Sequence, residues 1–221
     1  MNKEWSELNK TMQSQLKKEA TFREGIVTLF ELRNALMKEI LLFKEECSRA
    51  DFNTMPYINA DGYHSKTIAY SLWHIFRIED IVAHTLIAND EEIFFSGGFH
   101  NSINSPIITT GNELVREQIA EFSEQLNIDE LYRYIFAVKE STEKMLTALP
   151  YSELKRRMTD EDKKRVVSLN AVSTDENAVW LIDYWCGKDV RGLIQMPFSR
   201  HWIMHVEAAK KIKDKIHKST C

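Results

Sequence analysis

The stretch TIAYSLWHIFRIEDIVAH, residues 67–84, decides how the chain is read. Ile68, Leu72, Ile75, Ile78 and Val82, with Leu86 beyond them, recur at three- and four-residue spacing. That is the period of a helix with one face turned to a core. No Gly or Pro interrupts the pattern, which runs to about Ala88, and Ser65 stands where a helix N-cap is wanted. His74 is embedded among residues that otherwise read as core.

The same period appears on both sides of this segment. Phe22, Ile26, Leu29, Phe30, Leu36, Ile40, Leu41 and Phe43 mark a helix over 21–49, and further long helices are expected over 128–149 and 198–217. Only 7 Gly and 4 Pro occur, too little punctuation for a chain of short strands, and Pro56, Pro106, Pro150 and Pro197 fall at natural breaks. Shorter helices are expected over 4–18, 112–125 and 175–185. Residues 51–63 read as a loop, 152–158 as a turn, and the charged run TDEDKKR (159–165) as a solvated connection. Residues 95–111 form the longest irregular stretch, of the kind that is usually functional or mobile. Four long amphipathic helices must bury their stripes against one another, so the expected fold is an all-α four-helix bundle with extra short helices, one domain over 1–221.

Composition narrows the function. Apolar residues make up 43% and charged residues 28%, values of a packed globular chain, and the net charge of −4 comes with Lys and Arg interspersed among acids. Nucleic acid is therefore not an expected partner. The basic tail Lys210, Lys211, Lys213, Lys215 and Lys218 reads as a solvated helix end. Cys47, Cys186 and Cys221 show no CxxC spacing and do not pair off, which suits a reducing compartment. The opening MNKEWSELNK is charged where a signal peptide needs an apolar region, and no apolar run approaches a membrane span, so a cytoplasmic protein is expected.

The histidines carry the chemistry. In SRHWIMH (199–205), His201 and His205 lie four residues apart, so on a helix their rings share a face, about 6 Å apart along the axis. That spacing lets one helix give two nitrogens to one metal. Trp202 stands where the zinc-protease motif HExxH has its glutamate. A third nitrogen from His74 would complete three ligands and leave positions open for water or substrate. The alternatives are that the pair arises by chance and that His74 is a hydrogen-bonded core residue. Tyr70 and Arg77 lie one turn either side of His74, where they line a pocket or serve packing and an ion pair. Glu79 points away and reads as holding helix to helix. His84, about 15 Å along the axis from His74, is too far to share an ion, and His100 reaches the site only if its loop folds over. Trp180, Tyr184 and Trp185 either wall the cavity or belong to the core, and Cys186 is a remote candidate ligand.

Residues 67–84 resemble a helix of the DinB/YfiT-like superfamily with the pattern IAW-x-x-WHI-x-R-x-ED. Ile68, Ala69, Trp73, His74, Ile75, Arg77, Glu79 and Asp80 match it, and Tyr70 replaces the first aromatic. IDELYRYIFAVKESTEKMLTAL (128–149) is similar to that family's third helix and RHWIMHVEAAKKIK (200–213) to its last, so the resemblance spans about residues 21–217. It implies a divalent metal ion, zinc or nickel foremost among nitrogen-loving ions, held by His74, His201 and His205. It implies further a metal-dependent hydrolase or a transferase using a low-molecular-weight thiol, with metal-bound water or thiolate as nucleophile and a small molecule as substrate. The rival expectation is a non-catalytic bundle with a structural or vacant site, serving assembly. A homodimer is the expected oligomer.

Overall fold

The computed structural model describes residues 2–60 and 62–219. It has no β-strand among the described residues, only an isolated bridge between Arg157 and Asp189. The α-helices are α1 (Lys3–Gln15), α2 (Phe22–Glu46), α3 (Arg49–Asn53), α4 (Ile68–Asp80), α5 (Ile93–Ser96), α6 (Phe99–Ser102), α7 (Glu117–Gln125), α8 (Ile128–Ala148), α9 (Asp160–Ser168), α10 (Trp180–Cys186), α11 (Val190–Gln195) and α12 (His201–Ser219). None of these helices is long and apolar enough to cross a membrane.

The most buried element is α4, in which every residue from Ile68 to Asp80 is withdrawn from solvent. A helix apolar on most sides is stable only when surrounded, and α4 packs against α8 and α12, with α2 closing against α8 and α12. Its N-cap is Thr67, whose hydroxyl accepts the Tyr70 N–H at 2.9 Å. Ser65, expected in that role, instead donates its hydroxyl to the Gly62 carbonyl within the preceding turn. Past Asp80 the helix continues as a π-helical run, Ile81–Ala88, and stops at Asn89 in the left-handed region, which Asn tolerates. The expected end near Ala88 holds.

Buried Leu29, Leu32, Leu36, Ile40 and Phe43 form the stripe of α2, each contributing about 1.5–3 kcal/mol by leaving water. This helix ends at Glu46, short of the expected Arg49. Ser48 and Asp51 exchange side-chain and backbone hydrogen bonds in a capping box that starts α3, so residues 51–53 are helical where a loop was expected.

The run TDEDKKR is also a correction. Thr159 and Asp162 form a second capping box, three acids in the first turn suit the helix dipole, and Val166 is fully buried, so α9 is a packed helix. Residues 112–116, expected to open α7, stay irregular up to Arg116 at φ 49°. Residues 175–179 form a turn in which the Asp175 carbonyl accepts from Ala178 and Val179, so α10 begins later than expected. Nor is the basic tail wholly solvated: Lys213 is 7% exposed and meets Glu46 at 2.6 Å, and Lys210 meets Glu39 at 2.7 Å. Cys221 lies outside the described residues.

One buried polar knot joins the four long helices. The Arg33 guanidinium of α2 donates twice to Glu79 of α4, at 2.8 and 2.7 Å, and once to Glu143 of α8 at 2.9 Å. The Trp202 indole of α12 donates to Glu79 at 2.7 Å. Trp202 adjoins His201, so this bond fixes the rotation of α12 and with it the direction of the histidine face. Glu79 therefore holds helix to helix, as its position on the wheel predicts.

Candidate metal centre

His74 comes from α4, His201 and His205 from successive turns of α12, and the three rings converge. Their centroids are 5.0 Å (His74 to His201), 4.7 Å (His74 to His205) and 4.5 Å (His201 to His205) apart. One nitrogen from each lies within 4.8 Å of the other two, and the three side chains can hold a metal ion. Small ring rotations would bring such nitrogens to the separations imposed by bonds of about 2 Å.

The electrostatics suit that use. Burial pushes His74 down to about 4, opposed by its hydrogen bond to Thr110 and helped by the nearby Lys66 cation. Burial, and then the neighbouring imidazoles, holds His201 and His205 well below the ordinary value. All three are thus neutral near pH 7, the form that offers a lone pair to a metal. Nδ1 of His74 donates to the Thr110 carbonyl at 2.7 Å, which fixes the tautomer and leaves Nε2 free. Nδ1 of His201 and of His205 are buried without a hydrogen-bond partner. Buried nitrogens left so cost about 1–3 kcal/mol each, and no carboxylate or thiol joins the cluster among the described residues. A donor set of three neutral imidazoles, one oriented by Thr110 and two with an unpartnered nitrogen, fits a divalent transition metal.

Two chambers flank the cluster. The first, about 270 Å³, is walled by Trp180, Tyr184, Trp185, Met196 and Pro197. The second, about 260 Å³, is walled by Ser65, Lys66 and Tyr70. Tyr63, His74, Asn112 and His205 face both. Tyr63 presents its ring edge-on to His205 at 4.9 Å. Burial raises its pKa, opposed by Arg200 and helped by Tyr184, so its hydroxyl stays protonated near pH 7.

Tyr70 and Arg77 part company. Tyr70 stacks on His74, centroids 5.4 Å apart and planes 12° from parallel, and its hydroxyl donates to the Gly111 carbonyl at 2.9 Å. Arg77 turns away from both chambers: it donates to Glu92 at 2.6 Å and to the Ile108 carbonyl at 2.9 Å. At about 100° per residue a position four along stays closer in phase than one three along, and Ile78 lines the cavity instead. His84 bonds Asp90 and Ser141, and His100 lies among Phe94 and Phe95, so neither joins the cluster. Cys186, half-buried, stands outside it as well.

The three aromatics of α10 do wall the cavity: Trp180 is 49% exposed and Tyr184 36%, whereas Trp185 is also core. Residues 110–112 are a contribution that sequence reasoning missed. Thr110 orients His74, Gly111 receives Tyr70, and Asn112 reaches both chambers. The TTG at the end of the irregular stretch was the available signal. Tyr63 and Lys66, in the other loop, were missed too.

Compared with known proteins, the chain matches no family model and has no significant match among curated proteins.

Proposed function

We propose that this protein is a metal-dependent enzyme built as a DinB/YfiT-like four-helix bundle of α2, α4, α8 and α12. His74, His201 and His205 hold a divalent ion, zinc or nickel, and the reaction is hydrolysis of a small molecule or group transfer to a low-molecular-weight thiol. The observation that carries this reading is the convergence of three buried, neutral imidazoles beside two chambers. A structural site fills its coordination with protein, whereas a catalytic one keeps a position open. Three donors with no fourth among the described residues favour the catalytic kind.

When bound, a divalent ion on neutral imidazoles supplies Lewis acidity, making a water or thiol beside it more acidic. The remaining work falls to the chain itself. Thr110 holds the His74 ring in one tautomer, and Tyr70 stacked behind it prevents rotation. The Tyr63 hydroxyl and the Asn112 amide are polar groups available to orient a bound molecule. Trp180, Tyr184 and Trp185 offer an apolar wall that excludes water from its body.

The test is metal content by elemental analysis of protein reconstituted with zinc or nickel and passed through a desalting column. Wild type retains a single ion per chain, and His74→Ala, His201→Ala and His205→Ala lose it while keeping their helical circular dichroism. Unchanged metal content in His201→Ala would defeat the assignment.

A further inference from the structure

The two chambers differ in chemistry in a way that specifies a ligand. The first is aromatic and apolar; the second holds a cation. Lys66, just before the Thr67 cap of α4, places its ammonium 5.0 Å from the centroid of the Tyr70 ring, which also stacks on His74. Its side chain is partly withdrawn from water, and no carboxylate among the described residues is paired with it or perturbs it. Lys139 and Lys213, likewise drawn in from solvent, meet a glutamate at 2.8 and 2.6 Å. Glu113, on the adjoining loop, accepts from the Thr109 hydroxyl with one carboxylate oxygen and keeps the other buried without a partner; its charge acts on Tyr70, and it forms no ion pair with Lys66. Beyond Lys66 a polar groove runs on past Ser65 to Arg116, a second cation.

We propose that the Lys66 chamber binds the anionic head of the molecule on which this site acts, a carboxylate or a phosphoryl group, while its apolar body lies against Trp180, Tyr184 and Trp185. The proposal deepens the functional reading above and rests on it for the role of that molecule as substrate. The anion site itself is a property of the chain. A partly desolvated ammonium with no countercharge gains most from an anion that enters its cavity, since charge-assisted hydrogen bonds strengthen away from bulk water. Four residues shared by both chambers place such a head directly beside the histidines.

Isothermal titration calorimetry with phenylacetate, phenyl phosphate and the neutral phenylacetamide tests this, on metal-free and zinc-loaded protein, for wild type, Lys66→Met and Lys66→Arg. At least one anion should bind wild type more tightly than the amide in both forms, and the tighter anion identifies the head group. Lys66→Met should weaken that anion by about tenfold to a hundredfold, the worth of a charge-assisted hydrogen bond, leaving the amide unchanged. Lys66→Arg, which keeps the charge, should restore most of the loss. Equal affinity for amide and anions, an equal loss for all three probes in Lys66→Met, or no saturable anion binding overturns the proposal. The two readings fail separately. Anion selectivity in metal-free protein alongside a His201→Ala variant that keeps its metal would spare the anion site and defeat the metal centre. Metal loss in that variant with no anion selectivity would do the reverse.

Discussion

Gly111 has φ +77°, and a Cβ added there would lie 3.1 Å from the Tyr70 ring. Only glycine adopts that backbone freely, and only glycine lets the carbonyl receive the Tyr70 hydroxyl while Thr110 next to it holds His74. Gly111→Ala should therefore cost about 1–2 kcal/mol in urea denaturation, the penalty of the left-handed region for a residue with a Cβ. It should also weaken metal retention by disturbing the orientation of His74. Loss of stability with full metal retention would show that the Thr110 bond does not govern the ring. Lys66 and Tyr63 belong to the same class of residue, reaching the site from the connection before α4, Tyr63 from a single 3-10 turn over Gly62–His64.

At the scale of elements, the buried Arg33–Glu79 pair, the Trp202 indole and Glu143 tie four helices at one point. Without Glu79 the fully buried Arg33 keeps only Glu143, which is part-exposed and shared with Lys139, so Glu79→Gln should lower the unfolding free energy by about 3 kcal/mol. Arg133→Gln, which breaks an exposed pair with Glu130, should leave the denaturation midpoint where it is. Similar shifts in both variants would remove the knot from the account. The helices it joins were legible from sequence because α2, α4, α8 and α12 carry uninterrupted apolar stripes. His201 and His205 were legible because a helical period puts them on one face, and His74 was added to them by the resemblance of residues 67–84. What escaped had no period to read. Ser65 and Thr67 are both good caps, and only the path of the turn at Gly62 selects Thr67. The T-x-x-D box of α9 was hidden in a dense charge run whose apolar content turned inward is essentially Val166. Arg77 looked like a pocket residue because it lies one turn beyond His74; its partner Glu92 sits past the π-helical run, where sequence spacing says nothing of distance. Tyr63, Lys66 and Asn112 are brought to the histidines by tertiary packing alone.

For the molecule as a whole, three buried imidazoles make stability depend on pH. In the unfolded chain each histidine titrates near its ordinary value of about 6.5, whereas burial holds all three lower in the fold, His74 at about 4. Between those values the unfolded state binds more protons, so stability rises with pH. The contribution is complete above about 6.5 and drains away as pH falls towards the folded value, by at most about 1.4 kcal/mol per unit for each ring. Thermal melts of metal-free protein should show the midpoint falling between about pH 7 and pH 5, more steeply than in a variant with all three replaced by Gln. Parallel profiles would mean that the rings are not neutral and buried as described. A bound ion should steepen the fall, because protons and metal compete for the same lone pairs. The most direct test of the centre is X-ray absorption spectroscopy of zinc-loaded protein in thiol-free buffer. It should show nitrogen and oxygen scatterers at about 2.0–2.1 Å with the outer-shell pattern of three imidazoles, and a sulfur shell at about 2.3 Å, or fewer than three imidazoles, would contradict it.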